Sequence, residues 1–285
     1  MVIVTGANGF IGYHLSNLFE DVIRCDVNSL DSANEIIHPD NLFQLMKIKK
    51  PEIIFHLGAI SSTTETNSVA ITKNNILLSC ELLEHCIREN ITFVYASSAS
   101  VYGLGKQGFN EYSKLDPLNY YAISKMTFDL IAHQKIIDHP ESKIIGLRYF
   151  NVYGSGEKHK ENMASPVHKF YDQARNTGEI KIFEGSDKYL RDFIHVDDVV
   201  KITKEAANFY PGLYNVGTGR ARSFLEVANT ISSLTGARIT EIPFPQHLVG
   251  KYQYYTCSDN IKINSTGYPQ DRISLEEGIK RTIDV

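Results

Sequence analysis

Cysteine is scarce in this 285-residue chain, and its four cysteines build no framework. Cys25, Cys80, Cys86 and Cys257 form no Cys-x-x-Cys pair and have no histidines at zinc spacing, which argues against a zinc module or a redox dithiol. Cys80 and Cys86 fall in an apolar helical run and read as buried thiols, so a reduced, cytoplasmic chain is expected. An excess of one charge is also lacking. Lysine and arginine number 29 against 33 acidic residues, a net charge of −4, so no global basic field points to nucleic acid. No apolar run approaches the ~20 residues that a bilayer span needs, and no membrane association is expected. Met1-Val2-Ile3-Val4-Thr5 already reads as a strand, with no basic leader or cleavage site, so no secretory signal is expected. Repeats and low-complexity segments are absent. What is present is 42% hydrophobic and 22% charged residues, enough to bury the core of one large α/β unit or two joined lobes.

The first strand, Val2-Ile3-Val4, runs into Thr5-Gly6-Ala7-Asn8-Gly9-Phe10-Ile11-Gly12 and then an amphipathic helix to about Phe19. Strand, glycine turn and helix together form the context in which such glycines bind a dinucleotide. Gly6 permits the tight turn, Gly9 lets the backbone approach a pyrophosphate near a helix N-terminus, and Gly12 lets the helix pack on the strand. The spacing is G-x-x-G-x-x-G, and an ordinary glycine turn is the alternative. The next strand ends at Asp26, twenty residues after Gly6. A carboxylate there suits the adenosine ribose hydroxyls and repels a 2′-phosphate. No Arg or Lys follows between Val27 and Ile37, and only Arg24 could offset that repulsion, so NAD is expected ahead of NADP.

Glu52 to Leu57 reads as a buried strand ending at Gly58-Ala59, where small residues let the backbone pass close to a cofactor. The hydroxyl-rich Ser61-Ser62-Thr63-Thr64 follows, as a helix cap or a sugar-binding edge. Val69 to Glu89 reads as one long helix, with Asn74 and Asn75 inside it, one of them facing the cofactor. Ile91 to Ala96 is a strand that delivers Ser97-Ser98 at its carboxyl end, where open α/β sheets bind ligands. Twenty-three residues after Ser98 comes Tyr121-Ala122-Ile123-Ser124-Lys125, a phenol and an ammonium one helical turn apart. A tyrosine pKa of about 10 is high for a base at neutral pH; a neighbouring lysine charge is expected to lower it.

Strands and helices alternate to about Gly154, which predicts a doubly wound parallel sheet of the Rossmann kind. Residues 1–153 are expected to form the dinucleotide-binding domain. Residues 154–285 are expected to form a smaller substrate-binding lobe, with about 193–219 returning to the core. In this half Ser165 to Asn176 reads as helix, Ile180 to Phe183 as strand, and Glu184 to Asp192 as loop.

These pieces, with Arg148-Tyr149-Phe150-Asn151-Val152-Tyr153-Gly154, Asp192-Phe193-Ile194-His195-Val196-Asp197-Asp198 and Asn215-Val216-Gly217-Thr218-Gly219, resemble an extended short-chain dehydrogenase/reductase acting on a nucleotide-sugar. The resemblance covers essentially the whole chain. A second set is similar to the nucleotide-heptose 6-epimerases within that family: Phe55 to Glu65, His159-Lys160-x-x-Met163-Ala164-Ser165, Phe183-Glu184-Gly185-Ser186, Ile242-Pro243-Phe244-Pro245 and Lys251-Tyr252-Gln253.

The resemblance implies transient oxidation of the sugar by tightly bound NAD(P) and return of the hydride to its other face, in lipopolysaccharide or capsule biosynthesis. Tyr121 is implied as the proton shuttle, Ser98 as a hydrogen-bond partner of the same oxygen, and Lys125 as the ribose holder. Lys160 is implied as a second acid/base on the opposite side. On the residues alone Lys160 reads as a solvated loop charge. Implied cofactor contacts are Gly6, Asn8, Gly9, Phe10, Ile11 and Gly12, with Asp26, Leu57, Gly58, Ala59 and Asn75 beside Tyr121 and Lys125. Implied substrate contacts are Ser61, Ser98, Asn151, Lys160, Phe183, Ser186, Arg191 and Tyr252. Arg191 beside Asp192 also reads as a structural ion pair.

A homo-oligomer is expected, a dimer or, as the resemblance implies, a pentamer. The chain departs from them in being short between Asp26 and Pro39 and in carrying Asn162 where the family has serine. A sugar 4-epimerase of the UDP-glucose or UDP-GlcNAc type, a 4-reductase and a 4,6-dehydratase are the alternatives on this scaffold. Ala99-Ser100 after Ser98, instead of an acidic pair, counts against the dehydratase. A non-catalytic nucleotide-binding protein would not need Ser98, Tyr121 and Lys125 together.

Overall fold

The computed structural model describes residues 1–27, 36–104, 108–246 and 253–283. Two compact units divide the chain. The first comprises Met1–Val101, Pro117–Arg148 and Val200–Tyr214; the second comprises Tyr102–Asp116, Tyr149–Val199 and Asn215–Val285.

The first half of the chain runs β1 (Val2–Thr5), α1 (Phe10–Ser16), β2 (Val22–Cys25), β3 (Ile36–Ile37), α2 (Leu42–Lys49), β4 (Ile53–His56), α3 (Ser68–Ile71), α4 (Leu78–Arg88), β5 (Thr92–Ser98), α5 (Tyr120–Asp138) and β6 (Ile144–Tyr149). Together with β10 (Gly212–Val216) its strands make a seven-stranded sheet in the order β10-β6-β5-β4-β1-β2-β3. The pairs β1–β2, β1–β4, β2–β3 and β4–β5 are parallel. Read outward from β1, one branch goes to β2 and β3 and the other to β4, β5 and β6, so the winding reverses between β1 and β4. Ligands of doubly wound folds bind at such a reversal. A core of Ile3, Leu42, Ile54, Leu82, Phe93, Tyr95 and Phe128 fills the space between sheet and helices.

Local chemistry fixes the elements that matter. The side chain of Asn119 caps α5 by accepting the Ala122 N–H at 2.9 Å. That cap sets Tyr121 in the first turn of the helix and Lys125 one turn later. The single long helix expected from Val69 is interrupted: α3 passes into a wider π turn, Thr72–Leu77, before α4. Asn75 lies buried in that turn.

In the second unit β7 (Asn151–Tyr153) is followed by α6 (Pro166–Thr177), β8 (Glu179–Phe183), β9 (Leu190–His195) and α7 (Val196–Glu205), the last running on into the first unit. After β10 come β11 (Ala221–Ser223), α8 (Phe224–Thr235), β12 (Arg238–Ile242), α9 (Ile261–Asn264) and α10 (Leu275–Ile283). Strands β11-β9-β7 form one small sheet and β12-β8 another. Ser165 caps α6 and Ser223 closes a capping box with Glu226 on α8. Leu190 to Asp192, expected as loop, is strand. Arg191 to His195 are all buried, so β9 shows no alternation for a sequence reading to catch.

Cys25, Cys80, Cys86 and Cys257 are free thiols. Burial pushes Cys25 up to about 12 and raises the others as well, which makes them poor nucleophiles. Among the described residues no helix is long and apolar enough to cross a membrane.

Candidate active site

The turn after β1 is packed against the end of β4. Gly6 adopts φ +67°, and a Cβ there would stand 2.7 Å from the Gly58 nitrogen. A Cβ on Gly12 would stand 2.0 Å from the Gly6 carbonyl oxygen, so the start of α1 lies against the turn with no room for a side chain. Asp26, just beyond β2, accepts the Asn8 N–H through Oδ2 at 2.9 Å, which ties the carboxylate to the same turn. Phe10 is buried, and Ile11 and Leu57 are partly buried around it. A side-chain-free turn, a helix start and a carboxylate at the neighbouring strand end are what a dinucleotide needs. The residues fit that cofactor. Arg24 is directed elsewhere: its Nε donates to Ser16 Oγ at 3.3 Å and its Nη2 to Asn17 Oδ1 at 3.3 Å, at the far end of α1.

A buried polar chain backs this wall. The Gly58 N–H donates to Thr5 Oγ1 at 3.1 Å, and Thr5 Oγ1 meets His56 Nδ1 at 2.8 Å. His56 Nε2 meets Ser79 Oγ at 2.8 Å, and Ser79 donates to the Asn75 carbonyl at 2.9 Å. Each hydroxyl has one proton to give. Ser79 gives its proton to Asn75, so His56 carries its proton on Nε2 and accepts that of Thr5 on Nδ1. The imidazole is therefore neutral, and burial, with the Lys125 charge second, pushes its pKa down to about 3.

Asn75, expected to face the cofactor, is buried with its amide engaged within the protein. Its Oδ1 accepts the Ile60 N–H at 2.8 Å, and its Nδ2 donates to the Ile60 carbonyl at 2.9 Å and to Ser124 Oγ at 3.0 Å. The amide is spent clamping the segment after β4 to α5. Ala59 is half-buried on this segment and Ser61 is exposed.

At the end of β5, Ser98 hydrogen-bonds the Tyr121 hydroxyl, and its Oγ also accepts the Ser100 N–H at 3.2 Å. Lys125 is buried and donates from Nζ to the Ala96 carbonyl at 2.7 Å, while Nζ stands 5.9 Å from the Tyr121 ring centre. An ammonium has three donors, so the bond to Ala96 leaves capacity for a ribose. Burial pushes Lys125 down to about 8, and Asp129 one turn along α5 works against that. Asp129 is held in turn by Arg148 Nε at 2.8 Å and by the Tyr95 hydroxyl at 3.0 Å, all three fully buried.

The expectation that Lys125 lowers the Tyr121 pKa is corrected. Burial raises it, the Ser98 hydroxyl pulls it back, and Asp129 adds to the rise. Ser98 is the group that favours the phenolate.

Two candidate substrate residues of the second unit, Arg191 and Asn151, meet residues 253–256. Arg191, on β9, donates from Nη2 to the Gln253 carbonyl at 2.5 Å and stacks over Phe224 at 5.5 Å. Asn151, on β7, accepts from Thr256 Oγ1 at 3.4 Å. Ser186 donates to the Phe183 carbonyl at 2.6 Å, and the Phe183 ring packs on Phe244. Tyr252 lies outside the described residues. Lys160 is held apart from this group in an ion pair with Glu157, Nζ to Oε2 at 2.9 Å. Glu157, Asp129 and His56 were not singled out from the sequence. No motif signals a buried carboxylate or a buried neutral histidine, whether its partners are distant, as for Asp129 and His56, or within one loop, as for Glu157.

This geometry defines a dinucleotide-dependent enzyme with a serine–tyrosine–lysine group. The NAD dependent epimerase/dehydratase family matches residues 2–217, and the chain belongs to it. It is 40% identical to the ADP-L-glycero-D-manno-heptose-6-epimerase of Brachyspira hyodysenteriae, covering 100% of this chain and 97% of the relative. The crystal structure of the Helicobacter pylori ADP-L-glycero-D-manno-heptose-6-epimerase superposes with a TM-score of 0.87 at 29% identity, over 99% of this chain and 94% of that one. The UDP-glucose 4-epimerase of Thermotoga maritima, solved with UDP-glucose, gives 0.87 at 26% identity, over 99% and 97%.

The neutral His56 predicts an acid sensitivity. Between pH 6.5 and about 3 the unfolded chain binds a proton that the folded chain refuses, so stability falls as pH falls through that window. The slope from one such proton is about 1.4 kcal/mol per pH unit. Urea unfolding of wild type and His56→Gln at pH 7 and pH 5 should show a smaller acid loss in the variant. An equal loss in both would mean that His56 is not the group responsible.

Proposed function

We propose that this chain is a nucleotide-sugar epimerase that inverts C6 of ADP-glycero-manno-heptose, or of a closely related nucleotide-heptose, through a transient 6-keto sugar. The observation that carries the reading is the Ser98–Tyr121 hydrogen bond beside buried Lys125, at the carboxyl end of a central strand. The heptose assignment draws on the relatives named above.

In this reading the nicotinamide of NAD(P) supplies the hydride acceptor and donor, and its positive charge when oxidised favours the Tyr121 phenolate. Tyr121 takes the proton of the C6 hydroxyl as the hydride leaves, Lys160 delivers one to the carbonyl oxygen on the other face, and proton exchange with solvent resets the pair. Ser98 donates to the same oxygen and steadies its charge. Lys125 holds the ribose while the Ala96 carbonyl fixes its ammonium. The keto sugar is reduced on its other face, where Lys160 serves as the second proton donor and acceptor. Asn151 and Arg191 are assigned to the diphosphate and nucleotide, with Phe183, Ser186, Tyr252 and Ser61 lining the substrate. An arginine fork suits phosphate oxygens.

NAD is the preferred cofactor. Asp26 presents a carboxylate at the end of β2, and Arg24 is engaged at the opposite end of α1, away from any 2′-phosphate. The active form is a homo-oligomer, most simply a dimer. Ile123, Leu130 and Ile137 repeat every seven residues along α5 and are 41%, 57% and 60% exposed. Val69 and Leu77, on the adjoining α3–α4 stretch, are exposed as well. A heptad stripe of aliphatic side chains on neighbouring helices favours burial against a second copy.

Incubated with ADP-D-glycero-D-manno-heptose and no added reductant, the protein should produce the C6 epimer, visible by proton NMR. Tyr121→Phe should reduce kcat by about 10^2- to 10^4-fold; absence of inversion in the wild type sinks the heptose reading. Mass spectrometry of the cofactor released on denaturation should find NAD, and NADP would overturn the Asp26 argument. Leu130→Glu should shift the mass measured by light scattering from oligomer to monomer, and an unchanged mass would remove α5 from the interface.

A further inference from the structure

We infer that Glu157 is a positioning residue for the second proton-transfer step: its buried carboxylate sets where Lys160 presents its ammonium. The inference rests on the reading of Lys160 as the second acid/base and extends it to a residue with no expected role.

Glu157 is 0% exposed, although it lies in the polar stretch between β7 and α6. A buried carboxylate is costly unless every lone pair is used, and here the partners are all local. Oε1 accepts the Gly154 N–H at 3.2 Å and the Ser165 hydroxyl at 2.6 Å. Oε2 accepts the Ser165 N–H at 2.7 Å and Lys160 Nζ at 2.9 Å. Gly154 opens the loop and Ser165 closes it, so one side chain buckles both ends together. Lys160 hangs from the same carboxylate in the middle, with its side chain 26% exposed.

Two further features mark the loop as constrained. Glu161, next to Lys160, has φ 45° and ψ −118°, a backbone conformation that non-glycine residues avoid and that persists only when its surroundings enforce it. Ser165 serves twice, donating to Glu157 and capping α6 through the His168 N–H at 3.2 Å. The helix start therefore fixes the carboxylate, and the carboxylate fixes the lysine. A lysine on a free loop loses side-chain entropy each time it is used; one already tethered has lost it beforehand. Lys160 thus has its ammonium drawn to the Glu157 carboxylate before any substrate oxygen is offered to it.

A merely structural Glu157 and a positioning Glu157 are separated by a double-mutant cycle with Lys160, read as kcat and KM for ADP-heptose epimerisation followed by NMR. Glu157→Gln, which keeps the shape and loses the charge, should lower kcat by about 10- to 100-fold, with KM changed less than threefold. In a Lys160→Met background the same substitution should cost less than about twofold, because the group it positions is gone. Costs that multiply would overturn the inference and leave Lys160 in place. Full activity in Lys160→Met alone would overturn the acid/base reading, and the inference with it. If thermal unfolding shows Glu157→Gln to be unfolded at the assay temperature, Glu157→Asp, which keeps the charge but withdraws it by one methylene, is read through the same cycle with the same two outcomes.

Discussion

Burying the ammonium of Lys125 is the constraint from which much of the first unit follows. A cation removed from water needs a hydrogen-bond acceptor and a countercharge. The acceptor is the Ala96 carbonyl, so the end of β5 cannot shift without losing the lysine. The countercharge is Asp129, itself buried and in need of hydrogen-bond support. Arg148 on β6 and Tyr95 on β5 supply that, and the demand passes from α5 across two strands of the sheet. Loss of one partner from such a buried pair costs about 3–5 kcal/mol. Tyr121 sits at the other end of this arrangement. The Ser98 hydroxyl is what draws its pKa down, so the two groups are supported separately: Tyr121 by Ser98, and Lys125 by Ala96 and Asp129.

The second unit meets the same problem with different residues. Asp192 is fully buried, and burial raises its pKa. Four donors answer: the Thr218 N–H and hydroxyl on Oδ1, and the Gly219 and Ser258 N–H groups on Oδ2. Glu157 is satisfied in the same way by Gly154, Ser165 and Lys160. Both carboxylates gather loop ends that have no sheet partner of their own. They supply the order that backbone ladders supply in the first unit.

Much of this was legible in the sequence, for identifiable reasons. The winding order, the glycine turn, Asp26 and the Ser98 and Tyr121 positions are local patterns, readable from spacing and turn chemistry. Strand β9 was hidden because burial on both faces erases alternation. The π turn was hidden because a helical period of hydrophobicity survives one extra residue. The clamp that Asn75 makes on Ile60 and Ser124 was not readable, since a polar residue inside a helix shows that it needs a bond and not with whom. Glu157 and Asp129 belong to no motif. The partners of Asp129, Tyr95 and Arg148, are brought up by the fold from other strands, and those of Glu157, though close in sequence, meet it only because the loop closes on itself.

The contact among Gly6, Gly12 and Gly58 also limits how this chain could change its cofactor. A side chain on Gly12 would have to occupy space already held by the Gly6 carbonyl, and one on Gly6 would collide with Gly58. The turn is therefore closed to substitution, and adjustments that admit a larger or more charged nucleotide have to come from the β2 side. There Asp26 meets the turn through its carboxylate, which accepts the Asn8 N–H. The glycine contact is thus set by backbone packed on backbone, whereas the β2 side meets the turn through a side chain.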